Sequence, residues 1–128
     1  MKALLTNYHQ SPRKVRLVAN LIRGKSIAQA QTTLHFLDKK SSPAMKKLLN
    51  SAVANARNSG ISVDDLVVSR ISVDKGAVMR RGRPFARGRS GSIRKTMSII
   101  SLELGHAPQK SAVKSKKTLS KKSVAIAK

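Results

Sequence analysis

Six arginines, Arg80, Arg81, Arg83, Arg87, Arg89 and Arg94, fall within fifteen positions, with Gly82, Gly88 and Gly91 between them. A guanidinium presents five donors in a planar fork that grips a phosphate through two bonds and also stacks on a base. Glycines at this spacing let the backbone approach a folded polyanion closely. The segment that holds them, Asp74 to Lys95, has Asp74 as its only acid and few large apolar side chains, so it cannot form a core. The chemistry it can do is recognition of a dense array of phosphates.

Other chemistry is scarce. Cysteine is absent, which removes disulfides and thiolate metal sites. His9, His35 and His106 have no cysteine, aspartate or glutamate at metal-ligand spacing, and each reads as a surface or partly packed imidazole. Asp64 and Asp65 are adjacent, but neighbours on a strand point to opposite faces, and acids at a strand entry are more often turn formers. The serines lack a matching histidine and aspartate constellation. Gly82, Gly88 and Gly91 do not make a phosphate-binding loop, because no strand-to-helix transition surrounds them. No catalytic residue, metal or cofactor is assigned, and the chain reads as a binding protein rather than an enzyme. Tyr8, Phe36 and Phe85 are its only aromatics, too few for rows of stacking platforms, and this favours a structured RNA read by shape and backbone.

Composition points the same way. Against 27 Lys and Arg stand five acids, Asp38, Asp64, Asp65, Asp74 and Glu103, giving a formal charge of +22 on 128 residues. Self-repulsion on that scale opposes compaction unless counterions or a polyanion neutralise it. Nucleic acid is the first partner class implied and an anionic membrane surface the second. No apolar run nears the ~20 residues of a membrane-spanning helix, the basic segments lack an apolar face for lying on a bilayer, and the apolar stretch in MKALLTNYHQ is too short for a signal peptide. A soluble intracellular protein is the expectation.

The elements that must position the arginines can be read in chain order. Lys2 to Tyr8 suits a short strand with Ala3, Leu5 and Asn7 on one side and Leu4 and Thr6 on the other. Ser11-Pro12 reads as a cap with proline at the first helical position, and Val15, Val18, Ala19 and Ile22 follow as an apolar stripe that Gly24 stops. Ser26 caps a second helix with Ile27, Ala30, Leu34 and Leu37 inward, ending near Asp38 to Lys40. Ser42-Pro43 repeats the signal for a third, whose face is Met45, Leu48, Leu49, Ala52, Val53 and Ala56 and whose end is Gly60. Small Ala52, Ala54 and Ala56 invite close packing, and this helix is expected to be the spine of the fold.

From Ile61 the period changes toward two. Val67, Ser69, Ile71 and Val73 fall on one side of a strand and Leu66, Val68, Arg70 and Ser72 on the other, while Ile100, Leu102 and Leu104 alternate with Ile99, Ser101 and Glu103 later. The prediction is an α+β domain over residues 1–105, three helices on a small antiparallel sheet, from which a long β-hairpin over 74–95 protrudes. Residues 106–128, with seven lysines and no acid, form a basic tail suited to a diffuse electrostatic tether.

Three stretches together, Ser11-Pro12-Arg13-Lys14-Val15-Arg16-Leu17-Val18, Leu21-Ile22-Arg23-Gly24-Lys25 and Leu49-Asn50-Ser51-Ala52-Val53-Ala54-Asn55-Ala56, resemble the ribosomal protein L twenty-two family of the large subunit. Val73-Asp74-Lys75-Gly76, Met79-Arg80-Arg81 and Pro84-Phe85-Ala86-Arg87-Gly88-Arg89 resemble that family's extended hairpin. The match runs from about residue 7 to 104. It implies a non-enzymatic RNA-binding protein whose globular part sits near the mouth of the polypeptide exit tunnel and whose hairpin threads inward between rRNA domains, helping assembly. The implied rRNA contacts are Arg13, Lys14, Arg16, Arg23 and Lys25 from the globular part and Arg80, Arg81, Arg83, Arg87, Arg89, Arg94 and Lys95 from the arm. Met79, Gly82, Pro84, Phe85, Ala86 and Gly88 are the implied tunnel-side positions. The implied partners are large-subunit rRNA, neighbouring subunit proteins and the nascent polypeptide, on a cytoplasmic or organellar ribosome, with neither membrane nor homo-oligomer.

One position and one four-residue stretch depart from the family pattern. Phe85 stands where a basic residue is common, and Thr96-Met97-Ser98-Ile99 replaces Arg-Thr-Ser-His. The competing reading is a histone-like nucleoid protein whose arm wraps duplex DNA. It requires a dimer interface, and the core stripes leave no surplus apolar surface for one.

Overall fold

The computed structural model describes residues 1–106. The lysines from Lys110 to Lys128, assigned to the tail, lie outside the described residues. Strand β1 (Lys2–Tyr8) leads into helices α1 (Pro12–Ile22), α2 (Ile27–Phe36) and α3 (Ser42–Asn58). Two long strands follow, β2 (Leu66–Pro84) and β3 (Ser90–His106), joined through a 3-10 turn at Ala86–Gly88. The sheet is antiparallel in the order β1-β3-β2. This is the α+β architecture that the sequence predicts, with the core between the helices and one face of the sheet.

Local signals set the helices. Ser11 is extended ahead of α1, Pro12 opens the helix, and Val15, Val18, Ala19 and Ile22 are all buried. The Ser26 hydroxyl accepts from the Gln29 N–H at the start of α2. Both Gly24 (φ +74°) and Gly60 (φ +73°) adopt the left-handed conformation past a helix end that glycine alone takes without strain. Two boundaries differ from expectation. α2 stops at Phe36, because Leu37 turns extended to pack its side chain against the core. The cap of α3 is Ser41, while Ser42 lies inside the helix with its buried hydroxyl donating to the Leu34 carbonyl. That bond satisfies an orphan acceptor in the last turn of α2, a stronger claim on the hydroxyl than capping its own helix. α3 packs on α2, β1 and β3 as the expected spine, with Ala52 and Ala56 fully buried and Ala54 exposed.

Three bulges correct the strand faces. On β2 the pairing steps from Val68↔Leu104 to Arg70↔Glu103, leaving Ser69 unpaired, so the buried set is Leu66 and Val68 and then Ile71 and Val73. Strict alternation splits these four between the two faces; the inserted residue changes the parity. On β1 the extra residue follows Leu5, and Asn7 turns left-handed (φ 54°) and exposed instead of continuing the Ala3–Leu5 face. The third bulge lies between Lys75 and Val78, where the hairpin leaves the sheet. Alternation on β3 is as expected, with Ile100, Leu102 and Leu104 inward, and the strand continues through His106, which pairs with Leu66.

The Lys2 ammonium bonds Glu103 at 3.0 Å across β1 and β3 and holds that carboxyl below the usual carboxylate range. This surface pair supports the fold at neutral pH and releases it only as pH falls through the lowered titration. Apolar surface is not fully used up by the core: Leu4, Leu17 and Phe36 are mostly exposed and Leu21 is nearly half so, more surplus than the sequence stripes suggest. Leu102 is fully buried on the central strand. Leu102→Ala is expected to cost about 2–5 kcal/mol of unfolding free energy in urea titrations, and Leu4→Ala less than about 0.5 kcal/mol.

Candidate nucleic-acid interface

The arginine segment is a two-stranded ladder almost to its tip. Pairing runs Val78↔Thr96, Met79↔Lys95, Arg80↔Arg94, Arg81↔Ile93, Gly82↔Ser92, Arg83↔Gly91 and Pro84↔Ser90. Residues directly opposite share a face of the ribbon, so Arg80 and Arg94 stand side by side on one face, and Arg81, Arg83 and Lys95 on the other. Like charges directly opposite destabilise a strand pair. Every residue from Arg80 to Ser90 is exposed, and among the described residues the single ion pair, Lys2–Glu103, lies at the far end of the sheet. Apart from Arg81 Nη1 on the Arg80 carbonyl at 3.1 Å, the arm's guanidinium groups have no protein hydrogen-bond partner among the described residues. Their donors point into solvent, available to an anionic partner on either face.

The tip closes over five residues. The Phe85 N–H donates to the Arg89 carbonyl at 2.8 Å, and Arg87 (φ 58°) and Gly88 (φ +67°) turn the chain in the left-handed region. Arg87 carries a strained backbone there, which tight turns concentrate at functional tips. Phe85 folds back along the ribbon onto Gly91. A Cβ on Gly91 would meet the ring at 2.2 Å, so the missing side chain is what admits it. Arg83 sits over the same ring at 5.9 Å from its centroid. Phe85 thus keeps one side on its own hairpin while 57% of it stays exposed.

The cations of the globular part divide into two kinds. Arg16 donates through Nε and Nη2 to the Val73 carbonyl at 3.0 and 2.8 Å, and Arg23 through Nη2 to the Ile71 carbonyl at 3.0 Å. Those carbonyls line the outer edge of β2, where no fourth strand accepts them. Lys25 Nζ bonds Thr33 Oγ1 at 3.0 Å. Arg13 and Lys14 are exposed at the start of α1. Arg16, Arg23 and Lys25 are therefore partly fold-holding, with only their remaining donors facing outward, whereas the side chains of Arg13 and Lys14 make no hydrogen bond among the described residues.

The model of the family described as Ribosomal protein L22p/L17e matches residues 3–105, which span the globular part and the whole arm. The chain belongs to this ribosomal protein family. Among curated relatives, the large ribosomal subunit protein uL22 of Pelobacter propionicus is 52% identical over 103 residues, covering 80% of this chain and 93% of that protein. The uL22 proteins of Herpetosiphon aurantiacus and Trichlorobacter lovleyi are 46% and 53% identical over 102 and 95 residues, covering 79% and 73% of this chain and 90% and 84% of those proteins. The L22p/L17e family consists of structural ribosome components and not of enzymes, which accords with the scarcity of catalytic groups read from the sequence.

This L22p/L17e chain also brings Gln10 and Lys40, to which sequence reasoning gave no role, together with Lys14, Met79, Arg94 and Lys95, which it did single out. At the arm's root, Met79, Arg94 and Lys95 meet Lys14 across a cleft closed on its other side by His9, Gln10 and Lys40. The Ser98 hydroxyl ties the Gln10 carbonyl to β3, and the Tyr8 hydroxyl, its pKa pushed up by burial, lies 3.3 Å from the Lys40 carbonyl it donates to. No spacing along the chain signals this cluster, because it forms only when the turn after β1 packs against the hairpin. Among the described residues there is no grouping of three or more His, Cys, Asp or Glu able to hold a metal, and no helix long and apolar enough to cross a membrane.

Arg16→Gln, which removes a charged donor from an edge carbonyl, is expected to lower stability by about 1 kcal/mol, discounted for exposure, while Arg13→Gln leaves the unfolding midpoint unchanged. Gly91→Ala is expected to displace the Phe85 ring without unfolding the core. The check is the ring-current shift on the Arg83 side-chain protons, which should collapse toward random-coil values.

Proposed function

We propose that this chain is a structural protein of the large ribosomal subunit that grips large-subunit rRNA with its arm, assists folding of that RNA during assembly, and lines the polypeptide exit tunnel with the arm's distal part. One observation carries the reading: the ribbon bears cations on both faces, with Arg80 beside Arg94 on one and Arg81, Arg83 and Lys95 on the other. A ribbon laid on a nucleic acid needs charge on one face. One that is cationic on both fits insertion between segments of a folded RNA, where phosphates approach from each side.

In this reading Arg80, Arg81, Arg83, Arg87, Arg89, Arg94 and Lys95 take phosphates, joined by Arg13, Lys14, Lys25 and the free donors of Arg16 and Arg23. Met79, Gly82, Pro84, Phe85, Ala86 and Gly88 face the tunnel and the nascent polypeptide. Neighbouring subunit proteins are the remaining partners, the lysine-rich segment after Gly105 adds point charges to the same grip, and the setting is a cytoplasmic ribosome, as suits relatives from bacteria.

Filter binding of the full chain to large-subunit rRNA across a salt series tests this. The slope of log K on log salt is expected to be steep. Replacing the six arm arginines with glutamine should flatten it by about 0.7–0.9 for each phosphate that is no longer neutralised, and the variant should wash from the large-subunit peak of a gradient at lower salt than the parent. A flat salt response, or a chain that sediments with chromosomal DNA, would contradict the proposal.

A further inference from the structure

At the tip of the arm one aromatic ring is held in a way that phosphate contacts do not require. Phe85 shares a face of the ribbon with Arg83, two residues before it, and with Gly91, the register partner of Arg83. A Cβ on Gly91 would stand 2.2 Å from Cε2 of the ring and 3.2 Å from both Cδ2 and Cζ. A point above a ring face would be almost as close to those two atoms as to Cε2. Gly91 therefore meets the ring's edge, and the ring stands on the ribbon with neither face turned down on that glycine. The Arg83 guanidinium lies over the ring at 5.9 Å from its centroid, and among the described residues no other cation or aromatic ring covers it. The backbone below is fixed. Pro84 locks its own φ, Phe85 is extended (φ −120°), and the Phe85 N–H donates to the Arg89 carbonyl at 2.8 Å. On the opposite face of the ribbon the same level carries Gly82, Ser92, Pro84 and Ser90, which stand low.

We propose that Phe85 stacks one unpaired base of the bound RNA on its exposed ring, while Arg81 and Arg83 on the same face take the neighbouring phosphates. A base inside a helix has both faces covered by its neighbours and offers none to a side chain, so the ring selects a loop, a bulge or a strand end. Every base has a π face, and the selectivity is therefore for an unpaired nucleotide and not for one sequence. A polypeptide segment brings no phosphate to the guanidinium groups that share this face, which makes RNA the better occupant. Because the ring is already seated on Gly91 and its backbone is fixed, little side-chain freedom is lost when the base arrives. The inference rests on the RNA-binding reading above and refines it at one position: among the residues placed on the tunnel side, Phe85 has an RNA base for its partner.

The test measures the full chain's affinity, at matched salt, for two RNAs with the same number of phosphates, a continuous duplex and a stem closed by a single-stranded loop. The parent protein is expected to prefer the looped RNA by about tenfold, the lower part of the range for one base stacked on an aromatic ring. Phe85→Leu keeps an apolar side chain but removes the π face, and it should lose that preference, whereas Phe85→Trp should keep it. Both variants should melt with the parent, because the ring lies outside the core. Ring-proton NMR supplies a second readout, with Phe36, the only other phenylalanine, as the control. The Phe85 resonances should move upfield on binding the looped RNA while those of Phe36 stay in place. Equal affinity of the parent for both RNAs, a preference that survives Phe85→Leu, or a Phe85 ring that shifts no more than Phe36 overturns the stacking assignment and leaves general RNA binding intact. Failure to bind either RNA defeats the RNA-binding reading and the stacking site together.

Discussion

Coulomb repulsion along the arm is the constraint on which the remaining structure depends. Arg80 and Arg94 face each other across the ladder, and more guanidinium groups follow toward the tip, with no acid among the described residues paired to any of them. A two-stranded ribbon is marginal in water even without such repulsion. This one holds its shape only to the extent that its root is fixed and its charge is answered from outside. The rest of the fold supplies the first condition, and an anionic partner must supply the second.

The root is fixed through strand β3, which is central in the sheet and runs without interruption from the turn at Arg89 to the core at Leu104. β2 needs more help because its outer edge has no neighbouring strand. Gly24 N–H donates to the Val68 carbonyl, the Val68 N–H returns to the Lys25 carbonyl, and Arg23 and Arg16 occupy the carbonyls of Ile71 and Val73. The end of α1 and the loop after it thus stand in for a fourth strand, and they leave little edge for another chain to add to. Beyond Lys75 this cover ends at a bulge, and from there both the edge and the side chains of the ribbon are open.

Much of this was legible in the sequence. The helices followed from Ser-Pro pairs, apolar stripes and the glycines at 24 and 60, and the arm from the density of arginine around glycine. What was not legible depends on tertiary contact. Ser69 looks like any solvent-facing residue in an alternating strand, yet it is the bulge that reverses the inward face of β2. Arg16 and Arg23 look like surface cations ready for phosphate, and only the open edge of β2 explains why they bend inward. Gln10, Lys40 and Met97 lie far apart in the chain and carry no shared motif, so the cleft they line at the arm's root has no sequence signature. The exposure of Leu17, Leu21 and Phe36 shows the opposite limit, since apolar side chains near a stripe need not join it.

Amide hydrogen exchange on the full chain, free and bound to large-subunit rRNA, tests the dependence of the arm on its partner most directly. The account predicts rapid exchange from Val78 to Lys95 in the free protein and strong protection of the same amides in the complex, while those of Ile100 and Leu102 remain protected in both. Equal protection of the arm with and without RNA would contradict it, as would an arm that stays unprotected in the complex.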